Sequence, residues 1–141
     1  MSINIKYRTT AITNGGRDGR TRTQDGTLEL KLSTPKELGG PGGEGTNPEQ
    51  LFAAGYSACF LSALHLVGRK QKVDLSPDTT VSASVGIGAN EAGGFGLVVD
   101  LVADLPGVDR TIAEQLVAAA HQVCPYSNAT RNNVDVSVSV A

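Results

Sequence analysis

Tryptophan is absent from this 141-residue chain, which carries only three phenylalanines and three tyrosines. Charge of either sign is also thin: 12 Lys plus Arg stand against 14 Asp plus Glu, a net charge of −2. Nucleic-acid binding asks for a basic footprint and stacking rings, so nucleic acid is excluded as a partner. Two cysteines are too few for a disulfide scaffold, and a chain of roughly 150 residues buries enough surface to fold without staples. The N-terminal stretch MSINIKYRTTAIT has no apolar h-region and no small-residue cleavage site, so the expected compartment is the cytoplasm. In that reducing setting two cysteines 65 positions apart read as free thiols or a transient redox pair. The longest apolar stretch runs 17 residues from Leu51 to Val67 and is interrupted by Gly55, Ser57, Ser62 and His65. It falls short of the ~20 residues of a membrane span, and no membrane is expected as a partner.

What is present is aliphatic and periodic. Ile3, Ile5, Tyr7, Thr9, Ala11 and Thr13 alternate, as do Leu28, Leu30 and Leu32, which predicts half-buried strands over 3–13 and 28–32. Arg17, Asp18 and Gly19 fall at the first bend of a strand meander. Residues 34–46, TPKELGGPGGEGT, have no periodicity and read as a loop. Asn47-Pro48 then opens a helix over about 48–71 that is apolar on nearly every face, as a buried helix is. Residues 81–87 and 95–101 form a hairpin through 90–94, and a second helix capped by Asp109 should stop near Val123, ahead of Pro125. Val134, Val136, Val138 and Val140 make a last strand. The order βββ-α-ββ-α-β, with no repeat and no linker, argues one α+β domain over 1–141, its antiparallel sheets packed around a buried central helix plus a second helix.

Several chemistries can be weighed on these residues. Gly40, Gly42 and Gly45 satisfy G-x-G-x-x-G, but no strand leads into the first glycine, and the position twenty beyond the last is His65 inside a helix, so dinucleotide binding is not supported. Cys59 and His65, six residues apart on one helix, lie about 120° and ~9 Å from each other and cannot share one metal ion. His121 and Cys124 are close enough to face together, yet two ligands make no metal site. A cysteine hydrolase pairing either cysteine with His121 stays open, as does the plain reading of Cys59 as a small buried hydrophobe. Mid-helix, Cys59 has no helix dipole to lower its pKa, so reactivity would need a cation from elsewhere in the fold.

Four blocks in order, GGRDG at 15–19, LGGPGGEGTNPEQLFAAGYSACF at 38–60, GGFGLVVDL at 93–101 and VCPYSNATRNNVDV at 123–136, resemble the organic hydroperoxide resistance proteins, a branch of the OsmC-like thiol peroxidases. The resemblance runs essentially end to end. It implies that Cys59 is the peroxidatic cysteine and Cys124 the resolving one, that Arg17 stabilises the thiolate and that Glu49 holds Arg17. It further implies an organic hydroperoxide substrate, no metal or organic cofactor, recycling by a lipoyl-type dithiol carried on a lipoylated protein, and an intertwined homodimer. Asn132 departs from the pattern, standing where a glycine is usual. The assignment is chemically coherent, since only a thiolate attacks the O–O bond effectively and a guanidinium offsets the desolvation of a buried sulfur. A non-enzymatic thiol sensor or a carrier without turnover would use the same residues. Glu49 and Cys59 lie ten residues apart on one helix, ~15 Å along its axis and about 80° around it. A compact Cys–Arg–Glu cluster is easier to build when Arg17 and Glu49 come from a neighbouring chain, so a two-fold dimer with composite sites is expected.

Overall fold

The computed structural model describes residues 2–141, which form two compact units, 2–48 and 49–141. In the first, β1 (Ala11–Asn14), β2 (Arg20–Thr23) and β3 (Glu29–Lys31) make an antiparallel sheet in that order, with Ala11 opposite Thr23 and Thr21 opposite Leu30. The expected long first strand is real only from Ala11 onward. Among the described residues no strand pairs with 2–9, the Thr10 carbonyl still accepting from the Gln24 N–H at 3.0 Å, and Ile3, Ile5 and Tyr7 stand 80%, 58% and 79% exposed. The alternation was legible, but among the described residues no partner strand stands opposite it.

A 3-10 turn over Gly16–Asp18 joins β1 to β2 and carries Arg17 at its centre. Gly15 and Gly16 have φ of 78° and 58°, and a Cβ on Gly19 would meet the Asn14 carbonyl oxygen at 1.6 Å, so the glycines of GGRDG are backbone requirements. Asp18 anchors the turn by accepting from the Thr34 N–H and hydroxyl, each at 3.0 Å. The loop after β3 folds back through a 3-10 turn over Lys36–Leu38 and a parallel bridge between Leu32 and Thr46. Cβ atoms at Gly40 and Gly45 would lie 2.3 Å from the Thr34 carbonyl oxygen and 2.4 Å from the Ser33 nitrogen. The glycine spacing that mimics a nucleotide fingerprint is a packing constraint within this loop.

The second unit is built on α1 (Pro48–Lys70), with Pro48 at the first helical position as anticipated. Its buried stripe, Tyr56, Phe60, Ala63, Leu64, Val67 and Gly68, follows helical spacing. Burial on every face is not achieved by this chain: Cys59 and Leu61 are half-buried and Leu66 is 38% exposed. By length and composition α1 could cross a membrane, yet its inward stripe is committed to the protein's own core. That core joins it to Val99, Leu101 and Ala103, and to Ala113, Leu116, Val117 and Ala120.

β4 (Thr80–Ala89) and β5 (Phe95–Asp104) form the expected antiparallel hairpin, from Thr80 opposite Asp104 to Ala89 opposite Phe95. α2 (Arg110–Val123) starts where Asp109 accepts from the Ile112 N–H at 3.4 Å and ends at Cys124, whose φ/ψ of −63°/123° is extended, as Pro125 requires. Pro125 also occupies the first position of an unanticipated α3 (Pro125–Thr130), since a proline that stops one helix is suited to start the next. β6 (Asp135–Val140) pairs with β5 in parallel, Val98 with Asp135 through Ala103 with Val140, so the second sheet is mixed. The expectation of purely antiparallel sheets fails here because a helical crossover returns the chain to the end where β5 began. Asn132 has φ 64°, the left-handed conformation that explains a usual glycine and that asparagine tolerates.

Candidate functional site

The second unit brings two reduced sulfurs together. Cys59 projects from α1, Cys124 sits at the joint of α2 and α3, and their Sγ atoms lie 3.7 Å apart. That is roughly 1.6 Å beyond a disulfide bond length. Cys124 is fully buried and Cys59 half-buried. Desolvation pushes the Cys59 thiol above its ordinary value, the nearby Cys124 sulfur adds to this, and the backbone N–H of Tyr126 donating to Cys59 opposes it. Burial therefore favours the neutral thiol.

Around the sulfurs is a tight aromatic and hydroxyl framework. Phe52, Tyr56 and Tyr126 pack with ring centroids 5.6–6.1 Å apart. Gly55 makes room for this wall, because a Cβ there would meet the Tyr126 hydroxyl at 2.8 Å. The buried Tyr56 hydroxyl bonds Ser127 Oγ at 2.8 Å and Thr130 Oγ1 at 3.2 Å. Ser127 Oγ also lies 2.8 Å from His121 Nδ1, and Arg131 donates to the His121 carbonyl at 2.6 Å. Burial, with the Arg131 charge adding to it, lowers the His121 pKa and favours the neutral ring. A consistent proton order is then Tyr56 to Ser127 to His121 Nδ1, with the single Thr130 proton shared between the Tyr56 oxygen and the Tyr126 and Ser127 carbonyls.

Of the four residues singled out from sequence, Cys59 and Cys124 are thus in contact range. Arg17 lies in the β1–β2 turn of the first unit, and Glu49 lies in the first turn of α1. Because α1 is continuous, Glu49 and Cys59 of one chain are ~15 Å apart along its axis. His65 lines a separate hollow with Arg69, Lys72 and Asp74, and among the described residues no group of three or more His, Cys, Asp or Glu is placed to hold a metal ion. Tyr56, Ser127 and Thr130 were not singled out from sequence. Their one signal was proximity, since Tyr56 precedes Cys59 and Ser127 follows Cys124 by three residues each, one helical turn.

The family model for OsmC-like proteins matches residues 40–139. An organic hydroperoxide resistance protein from Xanthomonas axonopodis pv. citri is 53% identical over 137 residues, covering 97% of this chain and 96% of the relative. This chain belongs to the OsmC-like family. Its fold agrees with that of OsmC-like organic hydroperoxide resistance proteins: the crystal structure of one from Legionella pneumophila superposes with a TM-score of 0.93 at 51% identity, covering 98% of this chain and 99% of that one. Another from Bacillus subtilis gives 0.87 at 40% identity, with coverages of 96% and 98%. The OsmC-like match begins beyond Arg17, whereas the full-length relatives cover nearly the whole chain.

The neutral His121 of this OsmC-like site couples stability to pH. The unfolded chain takes up its proton near pH 6.5, the folded chain only at lower pH, so stability falls as pH drops from about 6.5 through the lowered folded value. Replacing His121→Gln should reduce the loss of urea midpoint between about pH 7.5 and about pH 5. An identical loss in both proteins would show that this ring does not contribute.

Proposed function

We propose that this protein is a thiol-dependent peroxidase that reduces alkyl or lipid hydroperoxides to alcohols and so protects the cytoplasm against oxidative stress. The observation that carries the reading is the pair of reduced sulfurs 3.7 Å apart in a chain 53% identical to an organic hydroperoxide resistance protein. The Cys59 thiolate attacks the terminal peroxide oxygen, the O–O bond breaks, and the alkoxide leaves as the alcohol after taking a proton. Cys59 is left as a sulfenic acid. The Cys124 thiol then condenses with it, forming the disulfide and releasing water before further oxidation sets in. A lipoyl-type dithiol, presented by a lipoylated protein, restores both thiols by exchange. No metal or organic cofactor takes part.

Arg17 supplies the positive charge that offsets the desolvation of Cys59, and Glu49 holds the guanidinium by paired hydrogen bonds. The rings of Phe52 and Tyr126 favour an organic substituent over hydrogen peroxide. In a competition assay, cumene or fatty-acid hydroperoxide should be consumed in preference to hydrogen peroxide. Cys59→Ser should abolish turnover, whereas Cys124→Ser should form the sulfenate, overoxidise and fail to recycle. Full activity in Cys59→Ser would overturn the reading.

The working unit on this reading is a homodimer, with Arg17 and Glu49 of one protomer beside Cys59 of its partner. Three observations support it: the ~15 Å between Glu49 and Cys59 along an unbroken helix, the incompletely covered apolar surface of α1, and the exposed alternating side chains of Ile3, Ile5 and Tyr7. Mixing inactive Cys59→Ser with inactive Arg17→Ala protein should restore up to one working site per heterodimer. No recovery after verified subunit exchange would assign each site to a single chain.

A further inference from the structure

Two rungs connect α1 to α3. On α1, Tyr56 and Cys59 are three residues apart, and on α3 and its cap Ser127 and Cys124 are also three apart, in the opposite sense. The sulfur rung, Cys59 to Cys124, spans 3.7 Å, and the hydroxyl rung, Tyr56 to Ser127, spans 2.8 Å. We infer that the hydroxyl rung, with Ser127 as its node, is a positioning device for the resolving step, holding α3 in the register that keeps Cys124 within reach of an oxidised Cys59. The inference rests on the peroxidase reading of the two cysteines.

The need for such a device follows from the size of α3. Six residues are far too few for a helix to hold itself, so external bonds must fix it. A slip of one residue would move Cys124 about 1.5 Å along the axis and turn it about 100°. Ser127 prevents the slip from two sides, bonding Tyr56 on α1 and His121 on α2, and Tyr56 reaches Thr130 one turn further along α3. Ser127 and the Tyr56 side chain are fully buried, so water cannot replace a lost partner without a cavity forming.

The chemistry served is the condensation of sulfenic acid with thiol. An Sγ–Sγ bond forms between Cys59 and Cys124, the S–O bond on Cys59 breaks, and hydroxide leaves as water with the proton of the Cys124 thiol. Cys59 is reduced and Cys124 oxidised by one unit each, so no outside oxidant is needed. Misplacement of about 1 Å in such a step can cost two orders of magnitude in rate. The first step, attack on the peroxide, makes and breaks bonds at Cys59 and does not use the Cys124 sulfur; it draws on α3 only through Tyr126, whose N–H faces Cys59 and whose ring lines the substrate side.

Full-length Ser127→Val and Ser127→Thr have the same added bulk and differ only in the hydroxyl. Each is treated with one equivalent of cumene hydroperoxide; peroxide loss reports the first step, while sulfenate trapping by dimedone and intact mass report the second. Peroxide consumption should stay within about twofold of the wild type in both. Disulfide formation should slow at least about tenfold in the valine variant, with the dimedone-trapped sulfenic acid accumulating, and return to within about threefold in the threonine variant. Tyr56→Phe, which removes the other half of the rung without changing shape, should give the same split if Ser127→Val does not fold. Equal disulfide rates in the valine and threonine variants, or slowing of both steps together, would overturn the inference. Absence of any Cys59–Cys124 disulfide in the wild-type protein would instead overturn the peroxidase reading on which it rests.

Discussion

The buried Tyr56 hydroxyl imposes the constraint on which the sulfur geometry depends. It lies in an otherwise apolar core, where an unpaired hydroxyl costs about 1–3 kcal/mol. Ser127 and Thr130 are its partners, and satisfying it ties a six-residue helix that could not stand alone to the longest helix in the chain. Cys124, as the cap of that short helix, goes where the hydroxyl bonds put it. The same packing leaves Cys124 without solvent access while Cys59 keeps some, an asymmetry that suits one sulfur to meet a peroxide and the other to wait behind it.

The electrostatics work against reactivity until a cation is supplied. Burial, reinforced by the second sulfur, raises the Cys59 thiol, and the one opposing contribution is the Tyr126 amide. A single hydrogen bond to a partly desolvated sulfur does not offset the loss of water around a thiolate, whereas a guanidinium does. On the function proposed above, Arg17 of the β1–β2 turn is that cation. Gly15 and Gly19 leave no room for a Cβ, Asp18 clamps the turn to Thr34, and Arg17 is its central residue. A turn so constrained presents a charge at low entropic cost.

Much of this was legible in the sequence because local rules decided it. Asn47-Pro48, Asp109 and Pro125 marked helix ends within a residue or two, and the alternation of β4 and β5 located a hairpin whose turn residues are all explicit. What escaped notice depended on partners distant in sequence. Tyr56 and Ser127 are separated by 71 positions, and no periodicity announces a hydroxyl bond across that span. The parallel sense of β6 follows from the helical crossover and not from its own alternating valines. Residues 3–9 carry a strand pattern that no described strand pairs with, and the helix read as buried all round has one buried stripe, because pattern reports what a segment can cover and not what covers it. Pro125 was legible as a stop, but its second role as a start required seeing that the residues after it fold back on α1.

The claim at the centre of the account is that Cys59 and Cys124 of one chain form a redox pair driven by an organic hydroperoxide. The most direct measurement is intact-mass analysis and proteolytic mapping of the reduced protein after one equivalent of cumene hydroperoxide. The account predicts loss of two hydrogens per chain and a single cross-linked peptide pair containing Cys59 and Cys124 within that chain. Consumption of the peroxide with both thiols still titratable, or a link formed only between chains, would contradict it.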